Sequence, residues 1–524
     1  MSEEEVVPHI RFPPSERPSV IFDLTWGQIL TTGTAVCLAF LIVLALKSLP
    51  ALLLAAAAVG VALAAAFWRV SWLRPMRTTV EWIPIWAAAA WESATGGRRW
   101  VNVGPLWGRT VALSEVVDGP IADLGATELR RVASHRMVPE PWPVALAGPL
   151  RGFALTEVRD EWGIDVGMVV DKTMNRITAA VEVRGRSARM VDTPELVSLQ
   201  SKWGEIVESL ARDSGCVSRT GWIEDAGVGD EVGATAWLRS HAALGHPGLE
   251  SQTRLIGTGG HAAKEHRAWV TLSIDRRRAK PLVALEDGEP LEGACRVLAR
   301  EVASLRTALD AAGLRVEGTF DVPALAGMLR LAFLPAEAER LAVLVAAGGA
   351  LEAASCLPST WKVTDSWVRA DDTYHVSGAV QSWPGSATPV DFLVPVMMDA
   401  GVTRRIAQVL EPLPPILAMN AVGRKLADSE ANARIREARG FGERAFRRRQ
   451  REALEFEDEA LAEGLGLARE ATFVTVSAPT LRAAEAAWTR LETAFAGGRV
   501  VLERAGGLQA PAFLATLPLG RGLR

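Results

Sequence analysis

Two long runs near the start of the chain leave no helical face polar. Ile29 to Leu46 holds 18 residues without a formal charge, and after Lys47-Ser-Leu-Pro50 the stretch Ala51 to Trp68 holds another 18. At about 1.5 Å of rise per residue each covers roughly 27 Å as a helix, against a hydrocarbon core of about 30 Å. Core helices of water-soluble proteins rarely go uncharged on every face for this length. The pattern therefore predicts a two-helix transmembrane hairpin over 29–68. The preceding stretch from Ser2 to Pro18 is acidic and proline-containing, unlike the basic start of a signal peptide, so both helices are expected to be retained. Arg11 and Arg17 precede the hairpin, Arg69, Arg74 and Arg77 follow it, and only Lys47 lies in its turn. That asymmetry places both ends in the cytoplasm of a cell membrane crossed twice. The Ala-rich second helix offers small residues either to its neighbour or to another membrane subunit.

Past the hairpin the period changes repeatedly. Trp72, Trp82, Trp86, Trp91 and Trp100 stand among arginines, as bilayer-surface anchors or as packing anchors of a first soluble helix. Short strands are expected near 99–103 and 109–116, a helix near 122–133, and a rigid connection at Pro139 to Pro143. Strands follow at 165–170 and 176–183, a helix from Thr193, strands near 215–222 and 268–274, a helix over 290–312, a strand at 314–317 and a short helix after Asp321. After residue 355 a second unit opens with a strand at 374–383 and an apolar run at 390–397. It continues with a strand at 404–410, a long helical region over 416–467 broken at Gly440 to Gly442, a strand at 472–477, a helix at 480–495 and a strand at 499–503. The fold class expected is α+β: the hairpin, then two ferredoxin-like split β-α-β cytoplasmic domains. The boundaries are a cytoplasmic segment at 1–28, the hairpin at 29–68, a Trp-rich juxtamembrane region at 69–140, a first α/β domain at 141–354, and a second at 355–524 carrying the long charged helix.

Composition narrows the chemistry. The 524 residues carry 57 basic and 61 acidic side chains, for a net charge of −4, so binding of nucleic acid through net charge is not expected. Four cysteines without metal-ligand spacing suit a reducing compartment. Gly257 to Lys264 has glycines and a lysine but lacks the phosphate-loop pattern, and reads as a turn leading into a helix. His241, His246, His261 and His266 lie close in sequence without a zinc signature. No cofactor, metal ligand or catalytic residue is assigned. Residues 424–470 hold 11 basic and 11 acidic side chains, a pattern of solvated ion pairs or of a subunit-docking arm. Trp361, Trp367, Arg369 and Tyr374 form the densest group of specific side chains. With Trp72, Trp82, Arg447, Arg448 and Arg449 they are the interface candidates.

The uncharged hairpin, Trp361-Lys-Val-Thr-Asp-Ser-Trp-Val368, Thr373-Tyr-His-Val-Ser-Gly378 and the closing Leu517-Pro-Leu-Gly520 together resemble a family of actinobacterial membrane proteins. These are encoded with conjugation-like, type IV secretion-related machinery. The hairpin resembles PrgI-type membrane subunits. The remainder, through Arg404 to Pro415 and Leu517 to Gly520, resembles the region preceding the ATPase domain of TraC-like conjugation motors. The resemblance implies a separate TraC-like ATPase as partner, alongside other membrane subunits, the bilayer and self-association. This chain, stopping where the motor would begin, would be a non-catalytic scaffold or adaptor. Two other readings stay open: an EccE-like component of type VII secretion, which also pairs a hairpin with a cytoplasmic domain, and a membrane-tethered enzyme with an unrecognised site.

Overall fold

The computed structural model describes residues 9–10, 26–46, 49–67, 79–94, 97–101, 143–185, 191–213, 215–228, 235, 238, 246, 248–259, 264–384, 388–397, 402–438 and 445–522. The strand expected at 109–116, the helix at 122–133, Trp72, His241, His261 and the break at Gly440 to Gly442 lie outside them. The first helices, α1 (Trp26–Leu46) and α2 (Leu49–Phe67), pack on each other as a hairpin, and α3 (Thr79–Ala94) touches both. Leu30, Phe40, Leu41, Leu44 and Val61 are each more than half exposed on that hairpin. Among the described residues no helix is long and apolar enough to cross a membrane. In α1 and α2, side chains are described without a break only over 30–42 and 55–64.

The rest of the described residues is mixed α+β, built mainly on a 14-stranded sheet in which every neighbouring pair is antiparallel. In chain order come β1 (Arg99–Val101), β2 (Val144–Ala145), β3 (Phe153–Arg159), β4 (Asp165–Asp171) and β5 (Arg176–Arg184). Helix α4 (Thr193–Asp213) leads to β6 (Val217–Val228), then α5 (Gly248–Gly259) and β7 (Lys264–Asp275). After α6 (Pro290–Ala311) come β8 (Arg315–Thr319) and α7 (Val322–Phe333). The second half runs β9 (Thr360–Val363), β10 (Val368–Ala370), β11 (Thr373–Ser382) and β12 (Arg404–Leu413). The helical pair α8 (Pro415–Ala438) and α9 (Ala445–Ala462) follows. The half closes with β13 (Leu467–Ala478), α10 (Leu481–Gly497), β14 (Val501–Arg504) and α11 (Gln509–Ala515). Local chemistry sets several boundaries. Pro290 sits in the first turn of α6, where a missing N–H costs nothing. Asp321 Oδ1 accepts from the Ala324 N–H at 2.8 Å, and Thr480 Oγ1 from the Ala483 N–H at 3.2 Å, capping α7 and α10.

The strand order is β3-β4-β5-β7-β6 on one side and β12-β13-β11-β10-β9 on the other, with β8 beside β5 and β14 beside β11. The two halves therefore repeat one connectivity around a topological twofold between β6 and β12. Those two strands pair from Arg404↔Ala226 to Leu410↔Thr220. The division expected near residue 355 falls between the repeats, but the sheet is continuous across it. The physical reason is that each half alone would end on an open edge strand, whose unpaired N–H and C=O groups here satisfy one another. One further expectation is corrected. Gly257 to Gly259 ends a helix and Lys264 begins a strand, the reverse of a turn entering a helix. The alternation of Lys264 to Asp275, with Val270, Leu272 and Ile274 buried, favours pairing with β5 and β6 over a helix.

Alternation along the strands divides the core between two faces. On one face Ile177, Ala179 and Val181 meet Val270, Leu272 and Ile274 under α4 and α6, and Val376, Ile406, Val474 and Val476 lie under α10. On the other, Leu155, Val169, Ala180, Trp269 and Ala407 pack beneath α7 and α11.

Candidate functional site

The segment 361–375, read as one cluster in the sequence, is divided by the pleat of β9, β10 and β11. Trp361 and His375 turn inward: the Trp361 ring lies 5.6 Å from Phe333 and 5.7 Å from Phe513, and the His375 ring 4.7 Å from Phe513. Trp361 is buried, so its part is packing. Arg369 lies opposite both Lys362 and Tyr374 across the strands. On that face the Lys362 ammonium stands 5.4 Å over the Trp367 ring, the Arg369 guanidinium 5.3 Å over Tyr374, and the Trp367 and Tyr374 rings meet edge-on at 5.3 Å. In this cation–aromatic row Lys362 and Arg369 are exposed, while Trp367 and Tyr374 are half-buried against the core under α10; each cation–π contact is worth about 0.5–1 kcal/mol. Of the four sequence candidates here, Trp367, Arg369 and Tyr374 are brought together and Trp361 is not.

His375 and Ser477 have the look of a nucleophile and its base, with Nδ1 2.8 Å from Ser477 Oγ. The geometry gives them another role. Nε2 is 3.0 Å from the Phe333 carbonyl, which can only accept, so Nε2 carries the proton and Nδ1 accepts from the serine hydroxyl. Desolvation by burial is the main cause holding the imidazole at a pKa of about 3; the Phe333 carbonyl raises it and the Arg405 charge lowers it further. A ring so hard to protonate, with no solvent exposure, is a poor proton carrier. It is a satisfied polar group inside the core.

Trp82 is buried where α3 meets the body, stacked on Trp86 with centroids 5.9 Å apart and touching Ile85. The opposing surface is the turn at Gly507-Leu508. Gly507 has φ +72°, and a Cβ there would fall 2.5 Å from Ile85 Cγ2 and 3.3 Å from Trp82. Arg98, just beyond α3, holds Asp365 at 2.6 Å, and the Asp365 carbonyl accepts from the Gly507 N–H at 2.8 Å. Trp82 thus pins the helix after the hairpin to the sheet. Gly507→Val is expected to release it, because the added carbons meet side chains and the left-handed backbone is strained. Proteolysis between 79 and 94 should accelerate while the melting of the sheet changes little; an unchanged cleavage rate at these residues would refute the docking.

In α9, Arg448 lies 3.8 Å from Glu452 and Arg451 3.6 Å from Glu455, on exposed surface. Such i,i+4 pairs contribute about 0.3–0.5 kcal/mol each. Arg449 is exposed beside them, and the helical position of Arg447 is its only described feature. Helices α8 and α9 pack on each other within the β12–β13 connection, and most described side chains of α8 are exposed, as a solvated face requires.

The closing motif is structural, and its partners are residues the sequence did not single out. Leu517 and Leu519 are buried, and Gly520 takes φ +62° over the sheet. The Gly520 carbonyl accepts from Arg219 Nη1 at 2.7 Å. Arg219 lies 3.4 Å from Glu411, which holds Arg469 at 2.6 Å, and Arg521 reaches Asp171 at 2.6 Å. Burial, then the nearby Arg176 charge, pulls the Arg219 guanidinium down to about 10, with Glu411 opposing. Arg219 and Glu411 lie far apart in sequence, so no local pattern signalled their pairing.

Among the described residues no group of three His, Cys, Asp or Glu side chains could hold a metal ion. His266 Nδ1 instead lies 2.7 Å from Glu224. Burial pushes the thiols of Cys295 and Cys356 up to about 12, which keeps them protonated and weakly nucleophilic. No protein-family model matches this sequence, and no curated protein matches it.

Proposed function

We propose that this chain is a non-catalytic, membrane-anchored adaptor: its hairpin sits in the bilayer and its sheet, cytoplasmic like both termini, presents surfaces to a motor. One observation carries the reading. A hairpin with uncovered apolar side chains is followed by a helix clamped to the body through Trp82, so a force or position fixed at the bilayer reaches the sheet. The span reading rests on the two uncharged runs of the sequence, Ile29 to Leu46 and Ala51 to Trp68; as backbone units α1 and α2 have 21 and 19 residues. The strand orders β8-β5-β7-β6 and β14-β11-β13-β12, each with a helix crossing before its last strand, support two ferredoxin-like split β-α-β units. The assignment to a type IV secretion or conjugation-like machine, with a TraC-like ATPase and other membrane subunits as partners, rests on the resemblance alone.

The test is recovery of the full chain from native membranes. It should stay membrane-bound through alkaline extraction, and removal of residues 1–94 should release it. Leu38→Arg with Leu41→Arg should reduce insertion, since each charge costs about 2.5–3.5 kcal/mol mid-bilayer. A TraC-like ATPase should co-purify; recovery with EccB, EccC and EccD would assign the chain to type VII secretion instead. A fully water-extractable chain would end the anchoring proposal.

A further inference from the structure

On the face that carries α4, α6 and α10, over the central strands β6 and β12, lies a groove of about 810 Å³. Trp222, Gln408 and Leu410 line it from the strands, Trp203, Gly204 and Val207 from α4, and Trp383, Phe392 and Leu393 from the segment after β11. Trp222 Nε1 donates to Gln408 Oε1 at 2.6 Å, which fixes that indole and satisfies its only polar atom.

The internal repeat explains why a groove exists at this place. In the first half, β5 is joined to β6 through α4, a helix of 21 residues. The equivalent connection in the second half, 383–403, contains among its described residues only the four-residue helix Val394–Met397. The twofold thus has a long helix on one side of the central strand pair and the groove on the other. A second observation is independent of topology. Gly204 stands in the middle of α4, where glycine costs about 1 kcal/mol relative to alanine. A Cβ there would meet nothing within 4 Å, so packing within the chain does not call for a glycine. What a missing side chain in a helix provides is close approach for another backbone. Charge narrows the chemistry of the visitor: among the described residues that line the groove the formally charged side chains are Glu205 and Glu208, both acidic.

We propose that this groove seats an amphipathic α-helix of a partner protein, apolar toward Trp222, Trp383 and Phe392, closely apposed at Gly204, and basic toward Glu205 and Glu208. The inference does not depend on where the hairpin resides. It is tested on the full-length protein in a non-ionic detergent, by fluorescence anisotropy of a labelled Leu/Lys peptide with its leucines at helical spacing. Detergent alone supplies the blank. Saturable binding is expected, weakened by Gly204→Ala, which adds a Cβ at the close approach, and at least about tenfold by Gly204→Trp, which fills the contact. Replacing the lysines by glutamates, or scrambling the order, should abolish it. Equal binding by Gly204→Trp, by the acidic peptide or by the scrambled one would overturn the proposal. So would a dimer of the unliganded protein that Gly204→Trp converts to monomer, because the visitor would then be a second copy.

Discussion

Acid should unfold this protein earlier than it unfolds the variant His375→Gln. The imidazole is held neutral in the fold, with a pKa of about 3 against an ordinary 6.5, mainly because burial penalises its charged form. Unfolded, it binds a proton as pH falls through 6.5; folded, it does not until about 3. The contribution is therefore complete above about pH 6.5 and is lost as pH drops toward 3, at about 1.4 kcal/mol per pH unit. Glutamine fills part of the same space, can bond Ser477 or the Phe333 carbonyl, and does not titrate. At pH 7 it should be the less stable of the two, through lost packing on Phe513 and imperfect hydrogen bonds, by about 1–3 kcal/mol. Below pH 5 the gap should close. Denaturant midpoints measured from pH 7 to pH 4 decide it: curves that fall in parallel would mean the ring is solvated in the native state.

Removing residues 517–524, or placing valine at Gly520, should be the most damaging change in the second half of the chain. A Cβ on Gly520 would fall 2.4 Å from Ser273 Oγ and 2.6 Å from Thr178 Oγ1, hydroxyls that bond each other at 2.8 Å within the sheet. The residue also occupies the left-handed region at φ +62°, where a β-branched side chain is strained. Truncation does more. It takes away two buried leucines at about 1.5–3 kcal/mol each and withdraws the carbonyl that accepts from the buried Arg219. A loss of about 4 kcal/mol or more is expected, enough to consume much of an ordinary domain's stability. Thermal melting of Gly520→Val against Thr178→Ala/Ser273→Ala/Gly520→Ala separates the causes. The triple variant relieves the contact and keeps the strain, so it should melt between wild type and valine. A valine variant that melts with wild type would show that the tail does not lie on the sheet.

Where local periodicity was strong, the elements were legible. The strands at 165–171 and 176–184, the helix opening at Pro290, the helix after Asp321 and the helix beginning near Thr480 all follow from spacing and end chemistry. The candidate site was legible only in part. Trp361 and Trp367 are six positions apart and look equivalent in the sequence. Which one reaches solvent was decided by the turn between β9 and β10, since a shift of one position exchanges the two faces. The Arg219–Glu411 pair and the groove beside Gly204 left no local trace, because each is assembled from strands or helices of both halves.

By itself, then, the sequence determined the alternation of helix and strand, the uncharged hairpin and the absence of a phosphate loop, all of which depend on neighbours a few positions apart. The tertiary structure alone decided that two similar halves share one sheet, that Trp82 clamps a helix to a distant glycine turn, and that the last leucines close the core. Pairing of β6 with β12 joins residues nearly two hundred positions apart through backbone groups that every residue carries. No side-chain pattern spells out such a choice; it is settled by which edge strands remain to be satisfied once each half has folded.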